Sequence, residues 1–322
     1  MLRYIIKRIL YVIPIMLGVL VIVFLLRVII PGDPIEMFVR SDASVEEREA
    51  KRVELGLNYP IPVQFARYVW GVATRLDFGK SWAGNVPVRD DLLLRFPITV
   101  RLAFISVFIA VLLAIPLGVV SAVKHNSFLD QFILLATLIL TSIPGFWLAL
   151  MLLSAFAVKV HWFPALYNGT IRSWVLPVFV TAIGAMSGLC RITRTSMLEV
   201  IRADYVRTAR AKGQTEQKII YNHALRNALI PVLAAVGNML GMQLGGAIIT
   251  ETMFGMPGIG KYIVDAIGKR DFICVQGGVV LLAFVFTIIN LLVDISYTLV
   301  DPRLRSSVIT TRKKKARPAA AA

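Results

Sequence analysis

Long apolar runs alternate with short polar connections along most of this chain. Six runs are each long enough to cross a bilayer, which takes about 20 helical residues. They cover residues 9–30, 98–123, 129–158, 174–195, 229–252 and 276–300. The pattern predicts an all-α polytopic membrane protein with six transmembrane helices.

The one large polar segment lies between the first and second runs, at residues 31–97. It opens with P-G-D-P at Pro31 to Pro34, and a charged, helical run follows from Ser44 to Leu55. Prolines at Pro87 and Pro97 indicate a compact lobe. Two interpretations stay open for it, a folded cap or a docking face for a soluble partner.

These boundaries predict four parts. They are an N-terminal transmembrane helix at 1–30, an extracytoplasmic lobe at 31–97, a five-helix core at 98–302 with a cytoplasmic loop at about 196–230, and a basic cytoplasmic tail at 303–322.

Composition agrees with a membrane protein and excludes an ordinary soluble domain. The 322 residues are 57% hydrophobic, with a net charge of +16. That charge does not indicate nucleic-acid binding, because the cations lie in loops and a tail that flank apolar runs. Cys190 and Cys274 give no disulfide framework and no metal-ligand spacing.

The distribution of Lys and Arg predicts the orientation in the membrane. Cations precede the first run, follow the second, fill the loop after the fourth and fill the tail after the sixth. In a six-span topology all four segments lie on one side. Since cytoplasmic loops carry the excess of Lys and Arg, we expect both termini to be cytoplasmic.

The most polar stretch of the core runs from Asp204 to Pro231. It predicts two short helices with a break, the first capped by Asp204 and ended by Gly213, the second capped by Thr215. One interpretation is a projection at the membrane face that a partner protein grips. The other is a cationic juxtamembrane helix that only enforces topology.

Small and polar residues mark faces of the fourth and fifth runs. Small residues four apart share one helix face and let helices approach closely, so the pattern indicates helix packing or a lining of the substrate pathway. The amides are expected to face protein or a cavity. The residues concerned are Gly184, Gly188, Gly237, Asn238, Gly241, Gln243 and Gly245.

A polar pair, Asn290 and Asp294, lies four residues apart in the sixth run. An unpaired carboxylate at membrane depth is costly, so we expect this pair to be tied to a neighbouring helix near the cytoplasmic end. A proton relay is the alternative, but it requires further intramembrane carboxylates.

One motif resembles a nucleotide-binding loop without being one. Gly255 to Lys261 matches G-x-x-x-x-G-K, but Tyr262 follows where magnesium binding needs Ser or Thr. The run also lies on the extracytoplasmic side, so it predicts a tight turn. We expect no catalytic, cofactor-binding or metal-binding residues in this chain.

The Asp204–Pro231 stretch resembles the cytoplasmic coupling loop of ABC importer permeases. In that family the loop reads E-A-A, three residues, G, then nine residues and I-x-L-P. Here Arg207 replaces the Glu, Thr208 the first Ala, His223 the Ile and Arg226 the Pro. The resemblance implies that ATPase-coupling residues are Asp204, Tyr205, Arg207, Thr208, Ala209, Ala211, Gly213, His223, Leu225 and Arg226.

Further elements resemble the first permease of dipeptide, oligopeptide and nickel ABC importers. They are P-G-D-P at 31–34, L-G-L-N-Y-P-I-P-V-Q at 55–64, the run 245–262 and D-P-R at 301–303. This resemblance implies a type I importer permease in a bacterial inner membrane, with one helix outside a five-helix core.

The same resemblance implies the partners. They are a second related permease, two ABC ATPase subunits that carry ATP and Mg, an extracytoplasmic substrate-binding protein and the lipid membrane, with no nucleic acid. Peptide is the expected cargo, and nickel chelates or glutathione stay open. Gly213→Val is expected to uncouple ATP hydrolysis from transport.

Two competing classes are a secondary transporter or channel, and a membrane scaffold without transport. A secondary transporter predicts inverted repeats with broken helices and intramembrane carboxylates. Co-purification with ATPases distinguishes the importer from both.

Overall fold

The protein is all-α in the part that a computed structural model describes, which is residues 2–29, 35, 39 and 42–300. The P-G-D-P stretch and the D-P-R and basic-tail segments lie outside the described residues. The helices are α1 (Leu2–Ile29), α2 (Val45–Glu54), α3 (Ile61–Arg75), α4 (Val88–Val123), α5 (Phe128–Ser142), α6 (Gly145–Leu152), α7 (Arg172–Ile201), α8 (Asp204–Ala211), α9 (Glu216–Lys218), α10 (Leu225–Met253), α11 (Ile259–Gly268) and α12 (Phe272–Val300).

Five of these helices are long and apolar enough to cross a membrane, and the bent pair α5–α6 makes a sixth span if it is counted as one. This agrees with the predicted six-span, all-α fold. Two π-helical segments, Leu153–Lys159 and Ile219–Ala224, continue α6 and join α9 to α10.

The centre of the bundle is the packing of α4, α7 and α10. The side of α4 that faces α7 is built from small residues, among them the fully buried Ala103, Ser106 and Ala110. A Cβ on Gly118 would lie 2.6 Å from the Thr193 Cβ and 2.8 Å from the Cys190 carbonyl oxygen of α7. Small side chains therefore let α4 and α7 approach closely where lipid supplies no hydrophobic drive between helices.

Helix α1 lies at the edge of this bundle against α12. Most of its apolar side chains are exposed, and Leu20, Val23 and Phe24 are its buried ones among the described side chains. Near the other end, Arg8 forms an ion pair of 2.7 Å with Asp294 of α12. The expectation that Asp294 is tied to a neighbouring helix is confirmed.

The third predicted span, 129–158, is not one helix. It divides into α5 and α6, which meet at 94°. The bend follows from Pro144, because a proline disfavours helical backbone in the residue before it, and Ile143 is extended at φ −78°, ψ 122°. Hydropathy alone does not reveal this break, because the run is apolar throughout. The Ile143–Pro144–Gly145 sequence within the run is the local signal for it.

The second predicted span also starts too late. The apolar pattern places Pro97 in the lobe and begins the span at 98, but α4 begins at Val88 and contains Pro97. The helix extends outward because Val88 and Leu92 are almost fully buried in a cluster with α11 and α12. Tertiary packing outweighs the backbone hydrogen bond that a proline removes.

The predicted second short helix after Gly213 is likewise not separate. From Glu216 the chain runs through α9, a π-helical turn and α10 to Met253 with Pro231 inside the helix. The fifth span is thus a single rod that begins in the polar stretch. This continuity joins the Asp204–Pro231 stretch mechanically to the membrane.

The outer lobe is held to α1. Ser44 and Glu47 form a capping box that starts α2, as the predicted helical run requires. In α3, Phe65 packs edge-on against Phe24 of α1 at 5.2 Å, and Gln64 accepts a hydrogen bond from Arg27. The lobe therefore lies against the C-terminal end of α1.

We predict that Gly118→Val destabilises the protein by at least ~1–3 kcal/mol, because its side chain has no room against Thr193 and the Cys190 backbone. The same change at Gly18, where a Cβ meets nothing within 4 Å, is the control. Thermal unfolding in detergent measures both. Equal melting temperatures for the two variants would show that α4 and α7 do not pack this closely.

Candidate coupling segment and pathway face

The segment α8 is a short helix fixed to the bundle by an apolar underside. Val206 and Ile219 are at most 1% exposed, Ala209 is 9% exposed, and Val200 of α7 packs on them. Full burial of a Val or Ile side chain contributes ~1.5–3 kcal/mol. An eight-residue helix is too short to be stable alone, so this contact is what holds α8 in place.

A left-handed turn reverses the chain after α8. Gly213 adopts φ +76°, which glycine reaches without steric cost, so its predicted role in ending the helix is confirmed. Arg210 donates hydrogen bonds to both carboxylate oxygens of Glu216, at 2.7 and 3.2 Å, across this turn. Hydrogen bonding to Glu216 also raises the pKa of Arg210, so its charge is constant at physiological pH.

Two more polar contacts join α8 and its turn to the base of α10. The Asn227 amide donates to the Tyr205 hydroxyl at 2.8 Å, and the His223 Nε2 lies 2.7 Å from the Gln214 side-chain oxygen. Together with the Arg210 pair they tie α8 and its turn to α9, to the π-helical turn and to the first residues of α10, one contact to each. The segment is therefore attached to the chain that continues into α10.

The caps were predicted incorrectly in part. Asp204 is the first residue of α8 and not its cap, because Ala203 holds the extended cap conformation. The Asp204 carboxylate still lies in the first turn, where its negative charge interacts favourably with the positive end of the helix dipole. Thr215 occupies the expected cap position of α9 but makes no side-chain capping bond.

The ten residues predicted to couple to ATPases fall into two groups. Seven are exposed, and they are Asp204, Tyr205, Arg207, Thr208, Ala211, Gly213 and Arg226. The other three are less exposed. Ala209 and His223 connect α8 and its turn to the bundle through the contacts above, and Leu225 packs in the cluster around Met197, which contains no residue of α8.

Two residues of the apolar contact were not predicted. Val206 and Ile219 form the buried underside of α8, but as isolated apolar residues in a mostly polar stretch they do not make an apolar helix face. They are 13 residues apart in sequence, on opposite sides of the turn at Gly213. No single helical period spans both, so local pattern could not reveal the pairing.

The glycine face of α10 lies against α12 at two of its three positions. A Cβ on Gly237 would lie 2.2 Å from a methyl of Val293, and one on Gly241 would lie 3.0 Å from the Phe286 ring. At Gly245, as at Gly184 and Gly188 of α7, a Cβ would meet no described residue within 4 Å.

Asn238 and Gln243, the two α10 amides predicted to face protein or a cavity, differ in the same way. Gln243 donates to the Thr181 carbonyl oxygen of α7 at 2.9 Å, so it faces protein as expected. Asn238 is exposed, and the described residues give it no hydrogen bond. Asn238, Met242 and Gly245 follow one another at helical spacing, and they define an uncovered face of α10.

An ion pair between the buried Asp130 of α5 and the partly buried Arg194 of α7 was not predicted. Arg194 donates to both oxygens of Asp130 at 2.7 Å, and Ser121 and the Asn126 backbone N–H also donate to this carboxylate. Asp130 is 1% exposed. The pair joins α4, α5 and α7 shortly before α8 begins, and its 64-residue separation left no trace of it in the sequence.

The G-x-x-x-x-G-K run closes around a carboxylate of the chain itself. Glu251 is fully buried, accepts from the Thr99 hydroxyl at 2.6 Å and from the Lys261 backbone N–H at 3.1 Å. A Cβ on Gly258 would lie 2.2 Å from this carboxylate, so glycine is required there. The predicted turn at Met256–Gly258 is confirmed. The anion beside it is the Glu251 carboxylate of the same chain.

Comparison with known families assigns the chain. The family model described as "Binding-protein-dependent transport system inner membrane component" matches residues 114–306, and the model of the N-terminal region of such components matches residues 1–103. The chain belongs to this family. It is a multi-pass inner-membrane permease subunit of an ABC transport system.

Its relatives carry names from peptide transport. A protein of Brucella abortus named as a peptide transport system permease is 39% identical over 309 residues, 94% of this chain and 98% of that one. The dipeptide transport system permease protein DppB of Escherichia coli is 36% identical over 339 residues, 95% of this chain and 99% of that one. DppB of Alkalihalophilus pseudofirmus is 37% identical over 333 residues, 95% and 100% of the two chains.

Solved structures confirm the fold. An inward-facing structure of the MetNI methionine ABC transporter matches with a TM-score of 0.56 and 22% identity, over 66% of this chain and 96% of that chain.

We predict that Asp130→Asn destabilises the protein by ~1.5–3 kcal/mol, because it removes the charged acceptor of the Arg194 guanidinium, whose side chain is 16% exposed. Glu54→Gln, in the exposed pair with Lys51, is the control and should cost less than ~1 kcal/mol. Thermal unfolding in detergent compares them. A small effect of Asp130→Asn would mean that the pair does not hold α5 to α7.

Proposed function

We propose that the chain is the peptide-importer permease whose α8 receives the movement of a cytoplasmic ATPase. The observation that carries the proposal is the construction of α8. It has a buried underside, three polar links to the chain that continues into α10, and a solvent-facing side of exposed residues with few partners. A helix that only enforced topology would need its charges but none of these links.

The proposed partners follow from the two uncovered parts of the molecule. The exposed face of α8 fits a groove on one of two ABC ATPases. The uncovered face of α10 fits a second, related permease or the water-filled pathway between the two, because an exposed Asn238 in lipid is costly. With both termini cytoplasmic, the lobe with α2 and α3 lies outside, where a substrate-binding protein delivers cargo.

In the proposed mechanism, ATP closes the ATPase dimer and α8 moves with the subunit that holds it. The movement reaches α10 through the Arg210, Gln214 and Asn227 contacts, and reaches α7 through the two residues that separate it from α8. The pathway then changes from inward-open to outward-open. A ligand shifts such an equilibrium only by binding the two states differently, so α8 must contact the ATPase differently in each.

Peptide is the cargo that the relatives' names support. They are named for peptide or dipeptide transport and align over nearly the whole chain. Screening dipeptides against the co-purified binding protein tests this part on its own.

The first test is affinity purification of the tagged chain from mild detergent, with mass spectrometry of the proteins that accompany it. We expect a second permease and ABC ATPases. A homo-oligomer without ATPases, under conditions that preserve known membrane complexes, would indicate a secondary transporter or a scaffold.

Charge reversal on α8 is expected to weaken the complex. Arg207→Glu alters an exposed residue of α8, so we predict that less ATPase co-purifies while the chain folds normally. Lys218→Glu, exposed in α9 of the same stretch, is the matched control and should retain the ATPase. Equal loss in both variants would show a general charge effect.

Substitutions of Gly213 test the left-handed backbone conformation of the turn, because a side chain there meets no steric obstacle. At φ +76° with nothing within 4 Å of a Cβ, the only cost of a side chain is backbone strain. We predict that Gly213→Val uncouples ATP hydrolysis from peptide uptake in reconstituted vesicles. Gly213→Asn should retain most coupling, because Asn tolerates the left-handed region. Normal transport by assembled Gly213→Val would refute the role of the turn.

A further inference from the structure

A cavity of about 270 Å³, with polar and apolar groups in its walls, opens at the end of the bundle opposite α8. Its walls come from the loop 81–86, the first turns of α4, helix α11 and the start of α12. At ~30 Å³ per water, the cavity has room for about nine waters. It is therefore large enough for a small organic molecule.

Two opposite charges on α4 face this cavity. Asp91 and Arg95 both line it, and neither forms an ion pair or a hydrogen bond with any described residue. The Arg95 guanidinium lies 4.9 Å from the centre of the Tyr262 ring, and its Nε is buried without an acceptor in the described part of the chain. Lys269 adds a second cation at the rim.

The other carboxylates of the cavity are already engaged. Asp271 accepts hydrogen bonds from the Ser81 hydroxyl at 2.6 Å and from the Ala83 backbone N–H at 3.2 Å, and Asp265 pairs with Lys261. Within the described structure, the unsatisfied groups are thus one carboxylate, Asp91, and two cations, Arg95 and Lys269.

A buried hydroxyl completes the set. Tyr262 is 7% exposed, and its hydroxyl has no oxygen or nitrogen partner among the described residues. The Cys274 thiol is a polar neighbour of this hydroxyl and a weak partner. Buried polar atoms are nearly always hydrogen-bonded, so an unpaired guanidinium nitrogen and a phenol without a strong partner beside one cavity indicate something that occupies it.

We propose that this cavity binds a small zwitterion that carries a free amine and a free carboxylate, such as an amino acid or a dipeptide. Arg95, Lys269 and the Tyr262 hydroxyl hold the carboxylate, and Asp91 holds the ammonium group. The site is distinct from the coupling segment and from the uncovered face of α10. It does not depend on the identity of the transported cargo.

The test is equilibrium dialysis of the purified complex in nanodiscs, without the binding protein, against radiolabelled L-alanine and L-alanyl-L-alanine. The two probes distinguish an amino-acid site from a dipeptide site. We expect saturable binding of at least one probe at one site per chain. Asp91→Asn and Arg95→Gln should each weaken it at least ~10-fold, as expected for hydrogen bonds to charged groups.

Arg89→Gln and Asp90→Asn are matched controls, because these neighbours on α4 are exposed and do not line the cavity. They should bind as the parent does. A probe with a blocked amine then tests whether Asp91 is the residue that holds the ammonium group. N-acetyl-L-alanine should bind at least ~10-fold more weakly to the parent but no worse than alanine to Asp91→Asn, because the amine contact is already lost.

Absence of saturable binding by either probe would overturn the proposal. Binding that Asp91→Asn and Arg95→Gln leave unchanged would overturn it as well, since it would place the probe elsewhere in the complex. A loss of binding that appears equally in the Arg89 and Asp90 controls would also count against it, because it would show a disturbed fold and not a site.

Discussion

The close approach of α4 and α7 is the contact on which the rest of the structure depends. Gly118 brings the two helices together at the Cys190 backbone, and about one turn further along α7 Arg194 reaches Asp130 at the head of α5. These contacts fix the C-terminal part of α7 in position and angle. Since only two residues separate α7 from α8, the bundle also fixes where α8 can lie.

The position of α8 then depends on a second constraint, the burial of Val206 and Ile219 beneath it. Ile219 belongs to the π-helical turn that leads into α10, so α8 rests on the base of the fifth span. A displacement of α8 is therefore transmitted to both α7 and α10. The same arrangement leaves Arg207 and Thr208 exposed on the outer surface, where a partner can contact them.

Sequence periodicity predicts the spans well because lipid imposes one rule, an apolar run of sufficient length, on every spanning helix. It fails where a tertiary contact or a local proline decides. Burial of Val88 extends α4 past Pro97, Pro144 bends the third span by 94°, and Gly258 is required by a buried Glu251. The coupling stretch was recognisable from local pattern, but Val206 and Asp130 act through partners that are distant in sequence.

The central claim is that the outer face of α8 contacts an ATPase, and cysteine cross-linking tests it most directly. Both native cysteines are buried, so a single cysteine at the exposed Thr208 can be labelled selectively with a bifunctional reagent in membranes. We predict a cross-link to an ABC ATPase that changes in yield when ATP is bound, and none from a cysteine at the exposed Val86 near the opposite end. Equal cross-linking from both positions, or none from Thr208 in an assembled complex, would contradict the claim.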